Sequence, residues 1–236
     1  MTALLVLTFL FFAGSIIGWG IELFWRRFFS KNNPEKKWIN PGFLTGPYLP
    51  LYGLSLCLLF ALSFIDVSFV ESKCLQKLLL FILMAFAITV MEFIAGLIFI
   101  KGMKIKLWDY SKNWLNIQGI ICPQYSFYWV ILSGAYYFLV HPRILEWLYW
   151  FTNHLSFSFV VGFFYGVFTI DLCYTFQIST KIREYAKENK LEIRYENLKE
   201  SIRKRNEEFE ERKRFFFALK SNHLPLKDIL REIFEH

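Results

Sequence analysis

The stretch INPGFLTGPYLPLYG, Ile39 to Gly53, decides how the rest of the chain is read. It holds three prolines and three glycines, yet it lies where an apolar segment should enter a bilayer. A backbone N–H or C=O left unpaired in hydrocarbon costs several kcal/mol. Irregular chain at that depth must therefore be buried in protein or line a wet cavity. The stretch points to a membrane protein with a broken segment at a site.

Composition agrees with a membrane setting. Of the 236 residues, 55% are hydrophobic, and 28 are phenylalanine. Five apolar segments follow one another: 3–25, 43–65, 78–100, 117–140 and 155–177. Each is long enough to cross ~30 Å of hydrocarbon at about 1.5 Å per residue. The expectation is an all-α polytopic protein with five transmembrane helices. A transmembrane domain would occupy residues 1–178, followed by a charged helical tail over 179–236. Met1 to Leu10 has no positive n-region, so the first helix is expected to be retained rather than cleaved.

Lysine and arginine set the direction. The first connection carries Arg26, Arg27, Lys31, Lys36 and Lys37, and the third carries Lys101, Lys104, Lys106 and Lys112. The second and fourth are poor in net positive charge. Positive connections stay in the cytoplasm. The expected placement is a multi-pass protein of the cell membrane, N-terminus outside and C-terminus cytoplasmic.

Three acids lie within the apolar segments: Glu22, Glu92 and Asp171. In this topology all three sit in the inner halves of their helices. Glu22 precedes Arg26 by four residues, so it is either an interfacial ion pair or a pocket wall. Glu92 is nine residues from Lys101 and Asp171 ten from Lys181, too far to reach the interface easily. An intramembrane carboxylate is costly and marks a functional site by default. The alternative is a structural hydrogen bond between helices.

Two irregular segments enter from the same side. The first contains Asn40, Gly42, Gly46, Pro47, Pro50 and Tyr52. The second, Leu107 to Ser126, contains Trp108, Asp109, Tyr110, Ser111, Asn116, Gly119 and Pro123. Asp109 is suited to an N-cap or an Asx-turn. Pro50 should kink a helix that has already begun. The two loops are expected to pack on each other over a cytoplasm-facing acidic pocket formed by Glu22, Glu92, Asp171 and Asp109. A weak parallel repeat supports the pairing, because Gly42 and Gly119 align at an offset of 77 residues.

Gly14 and Gly18, like Gly162 and Gly166, form G-x-x-x-G pairs suited to close packing of spans one and five, or of two protomers. The cysteines Cys57, Cys74, Cys122 and Cys173 lack metal-ligand spacing and are read as packing residues, so neither a metal nor a cofactor is expected. In the tail, Tyr195, Leu198, Ile202, Phe209, Phe216 and Leu219 follow a partial heptad seam. That favours one long helix continuing span five, with a short amphipathic helix after Pro225. Acids alternate with the bases there, and no groove-reading motif appears, so nucleic acid is not an expected partner.

GWGIELFW, NPGFLTGPYLPLYG, MEF, LWDYS, NIQGIICP and HP occur in the order and rough spacing of the CmpB-like bacterial membrane proteins. The chain resembles that family, named the putative ABC-transporter type IV, over about residues 14–175. Pro41 and Ile120 depart from the pattern, which carries arginine at both places, so a family role built on those cations does not transfer. The resemblance implies a permease-like subunit. No P-loop is present, so a separate ATPase would supply energy. Five spans are few for a path, which favours a homodimer or a partner membrane subunit. A non-enzyme is expected, because no nucleophile–histidine pairing occurs. The alternatives are an intramembrane enzyme acting on lipid or peptide and a non-transporting scaffold that recruits a partner through its tail.

Overall fold

A computed structural model of the chain describes residues 3–30, 33–154, 156–188 and 193–209. Among these residues, three helices are long and apolar enough to cross a membrane. They are α1 (Ala3–Phe28), α3 (Lys73–Leu97, prolonged by the π-helical turn Ile98–Met103) and α6 (Ser156–Glu188). Their outer faces carry large apolar side chains in the open: Phe86 is 67% exposed, Ile170 73% and Phe159 79%. In water such faces would aggregate; in lipid they meet a matching medium.

Three of the five expected spans thus meet that length and hydropathy among the described residues, and the second and fourth segments differ from the expectation. The second apolar segment is helical only over α2 (Pro50–Leu62), 13 residues or about 20 Å of helix. Residues 41–49 are irregular. Pro50 opens this helix, where its missing N–H costs nothing, instead of kinking a longer one. The fourth segment likewise begins at Pro123, not at residue 117. There α4 (Pro123–Ala135), the π-helical turn Tyr136–Val140 and α5 (His141–Asn153) follow without a break. Gln124, Tyr125, Ser126 and Tyr128 dilute the apolar character of its first turns. The stretch after His141, read as a connection, is helical because Ile144, Leu148 and Phe151 recur at i, i+4 and i+7 and bury one face.

α1 and α2 form an antiparallel hairpin. Leu49 N donates to Ser15 O at 2.9 Å, and further along Cys57 Sγ lies 3.4 Å from Leu7 O. The glycines of α1 serve this contact: Gly14 packs on Gly53 and Leu56, and Gly18 on Tyr52. They do not bring α1 onto α6, and Gly162 and Gly166 face open space. Gly53 has no room for a side chain, since a methyl there would collide with Ser15 Oγ and sit 2.6 Å from the Phe11 carbonyl oxygen. Gly53→Ala is expected to cost about 1–3 kcal/mol by overpacking. The check is a lowered melting temperature in detergent. The hairpin then meets α3, α5 and the second π-helical turn in a core of Leu10, Leu59, Met84, Ile88, Tyr136 and Ile144.

The tail is not a single helix continuing the last span. α6 runs on to Glu188; β2 (Ile193–Arg194) and α7 (Tyr195–Phe209) are separate elements. β2 pairs in parallel with β1 (Ile105–Lys106), just beyond the left-handed Lys104 that ends the α3 extension. Tyr195, Leu198 and Ile202 of the expected seam bury themselves on the chain's own Ile105, Ile182 and Ala186. Phe216, Leu219 and the expected helix after Pro225 lie outside the described residues, as does the Phe209 side chain.

Candidate functional site

Asn40 builds the first loop. Its Oδ1 accepts from Trp19 Nε1 at 2.9 Å and from Gly42 N at 3.0 Å. Its Nδ2 donates to Leu44 O at 3.2 Å and Thr45 O at 2.9 Å. A carboxamide has two N–H groups and two lone pairs, so Asn40 is saturated. The loop it shapes turns two N–H groups toward α6. Asp171 Oδ1 accepts from Thr45 N at 3.2 Å, Thr45 Oγ1 at 2.8 Å and Thr175 Oγ1 at 3.2 Å. Its Oδ2 accepts from Gly46 N at 2.9 Å and Tyr48 Oη at 2.5 Å. Backbone groups that the prolines and glycines leave unpaired thus end on one carboxylate.

The second loop folds on its own side chains. Asp109 Oδ1 accepts from Ser111 N at 3.0 Å and Ser111 Oγ at 2.5 Å, an Asx-turn. Tyr110 N donates to Gly119 O at 2.8 Å, and Trp108 Nε1 to Ile120 O at 2.8 Å. Asn116 donates to Ser111 O and Asn113 O and accepts from Gly119 N. Gly119 has φ +69°, and a Cβ there would press on Asp109 Oδ1 at 3.0 Å. Only glycine meets both conditions without strain. Asp109 Oδ2 pairs with Arg194 at 2.8 Å. Burial pushes this carboxyl up, but the Ser111 hydrogen bonds and the charges of Arg194 and Lys106 outweigh it. Asp109 therefore lies below the ordinary aspartate range and is ionised at neutral pH.

Glu22 and Glu92 share a third environment, on α1 and α3. Glu22 Oε1 pairs with Arg26 Nε at 3.2 Å, and its Oε2 accepts from Tyr52 Oη at 3.2 Å. Glu92 is 3% exposed. Its Oε1 meets Tyr110 Oη at 3.5 Å, the long limit of a hydrogen bond, and Trp129 is a further polar neighbour. Its Oε2 is buried with no hydrogen-bond partner. Tyr52 and Tyr110 each lie within electrostatic reach of both acids. Burial, then the Glu92 charge, pushes the Tyr110 phenol well up, which keeps it a donor. Aromatic rings close the surroundings: Tyr52 and Trp129 have centroids 5.1 Å apart, and Tyr110 stacks on Tyr125 at 4.2 Å. Tyr52 and Trp129 are also separated by 77 residues, the offset of the weak repeat.

The acids singled out in the sequence thus fall into different settings. Glu22 and Glu92 lie together. Asp171 meets the first loop, and Asp109 meets Ser111 and Arg194. The two loops meet through the tail, because Phe43 and Leu107 both pack on the cluster of Tyr195, Leu198 and Ile202. Thr45, Tyr48, Ser15, Trp129, Arg194 and Lys199 were not picked out from the sequence. Tyr48 carried a signal, since a tyrosine in an apolar run needs a partner for its hydroxyl.

Long apolar helices with outward aromatic faces, broken by polar loops around buried carboxylates, define a multi-pass membrane protein. Residues 9–176 match the family described as Putative ABC-transporter type IV, and the chain belongs to it. Comparison with curated proteins and with solved structures gave no match.

Proposed function

We propose that the chain is a permease-like membrane subunit that passes a positively charged solute or ion through a cytoplasm-facing site built on Glu22 and Glu92. The observation that carries this reading is the buried Glu92 Oε2, which has no partner and lies beside a second acid. A carboxylate held so deep without a cation is stabilised by binding one or by taking a proton. Aromatic faces around it favour a cation further. Asp171 has a different role, as the anchor that holds the first loop, since its two oxygens already take five donors. Asp109 tethers the second loop to the tail.

A separate ATPase powers the movement, in keeping with the family and with a sequence that has no P-loop. The three helices of spanning length among the described residues do not enclose a path, so a second copy or a partner membrane subunit completes it. Transport by membrane vesicles from the native host tests the reading. Energised movement of a cation or proton that disappears with Glu92→Gln supports it. Transport that is unchanged in that variant contradicts it.

The orientation is tested separately. Met1 is outside and the basic connections are inside, following the lysine and arginine distribution. Cysteines placed at Lys36 and Lys112 are expected to resist an impermeant thiol reagent in intact cells and to react in inverted vesicles. Reaction in intact cells at either position reverses the topology.

A further inference from the structure

The segment after the last span does more than cap the chain. β2 and α7 touch both broken loops, through different bonds. Toward the second loop, Ile193 and Arg194 pair with Ile105 and Lys106, and Arg194 bonds Asp109 at 2.8 Å. Toward the first, Lys199 Nζ donates to the Asn40 carbonyl, and Tyr195 Oη donates to the Phe43 carbonyl at 3.4 Å. Beneath these polar contacts lies an apolar cluster in which Ile105, Ile182 and Leu198 are fully buried. The segment also lies beyond the residues that match the family.

From each contact point a short chain of bonds leads to the acids. Asp109 adjoins Tyr110, whose backbone is held by Gly119 O and whose hydroxyl faces Glu92. Asn40 accepts from Trp19, one turn before Glu22 on α1. Moving β2 and α7 away would remove Arg194 from Asp109 and uncover Leu107 and Phe43. Both loops would lose the surface they share, and with it the packing behind Tyr110, which faces Glu92, and behind Asn40, bonded to Trp19 one turn before Glu22.

We propose that residues 193–209 form a latch that holds both loops in place beside the Glu22–Glu92 pair, so that release of this segment opens the pair to the cytoplasm. This regulation rests on the function proposed above, because it governs access to the same site. It is built from an ion pair that is exposed on its arginine side and a two-residue strand pairing, which are weak enough to exchange, over an apolar contact that favours return. A cytoplasmic partner that binds α7 would thereby control entry.

The test reads access to Glu92 directly. Inverted vesicles bearing the full chain are treated with a water-soluble carbodiimide and glycine methyl ester, and Glu92 modification is followed by peptide mass spectrometry. Arg194→Ala is expected to label about five- to tenfold faster than the parent, the size of a modest coupling between two sites. A second variant separates unlatching from misfolding. Lys106→Cys with Arg194→Cys places two thiols at paired strand positions; neighbouring strands lie ~4.7–4.9 Å apart, inside the ~4.4–6.8 Å Cα separation a disulfide needs. Oxidised, this protein should label no faster than the parent; reduced, it should label as fast as Arg194→Ala. Equal rates in the oxidised and reduced forms of that one protein overturn the latch. Vesicle transport measured in parallel keeps the two ideas apart. Transport that ignores Glu92, in vesicles where labelling still follows the disulfide, sinks the transport reading and leaves the latch standing.

Discussion

Asp171→Ala is expected to be the most destabilising single change in the transmembrane region. It leaves Thr45 N–H, Gly46 N–H and the hydroxyls of Thr45, Tyr48 and Thr175 without their acceptor at once. Hydrogen bonds to a charged group contribute about 1.5–3 kcal/mol each, although they do not add. Water, which would replace them at a surface, is scarce at this depth. A loss of about 4 kcal/mol or more is expected, at the upper end for one substitution. Its signature is a large fall in melting temperature and cleavage within residues 39–49. Asp171→Asn should fall between, because its amide keeps one acceptor oxygen but turns an NH₂ toward donors. A melting temperature within two or three degrees of the parent in Asp171→Ala would mean that the loop is held by other bonds.

Glu92→Gln should do the opposite: abolish transport and leave the fold intact. The amide has nearly the shape of the carboxyl, and its oxygen can still accept from Tyr110. Exchanging an unpaired buried acid for a neutral group removes a desolvation cost, so the melting temperature should hold or rise. Loss of transport with retained stability separates a working residue from a structural one. A fall in stability matching that of Asp171→Ala would place Glu92 among the helix-packing groups.

Both acids were visible in the sequence for the same reason, a charge inside an apolar run, and the sequence treated them alike. What divides them is the source of their donors. Those of Asp171 come mainly from Thr45, Gly46 and Tyr48, more than 120 residues earlier, and local spacing carries no information about such a contact. Glu92 has near neighbours in Tyr110 and Trp129, which fall short of satisfying it. The loops were legible through their prolines and glycines. The helices beside them were drawn too long, because hydropathy does not distinguish an apolar loop such as 43–49 from an apolar helix. The prolines did: Pro50 and Pro123 are each the first residue of a helix. The tail shows the reverse case. Tyr195, Leu198 and Ile202 were recognisable as a buried stripe, yet a stripe does not name its partner, and the partner proved to be the chain itself.

Glu92, not Asp171, is the buried carboxyl left short of hydrogen-bond partners. Dicyclohexylcarbodiimide, an apolar reagent that modifies carboxyl groups within bilayers, tests it in native membranes with mass spectrometry of the two peptides. Modification is expected at Glu92 and is slowed by added cations, with Asp171 spared because its oxygens are held by five donors. Modification of Asp171 in preference to Glu92, or labelling of Glu92 that no cation slows, would contradict it.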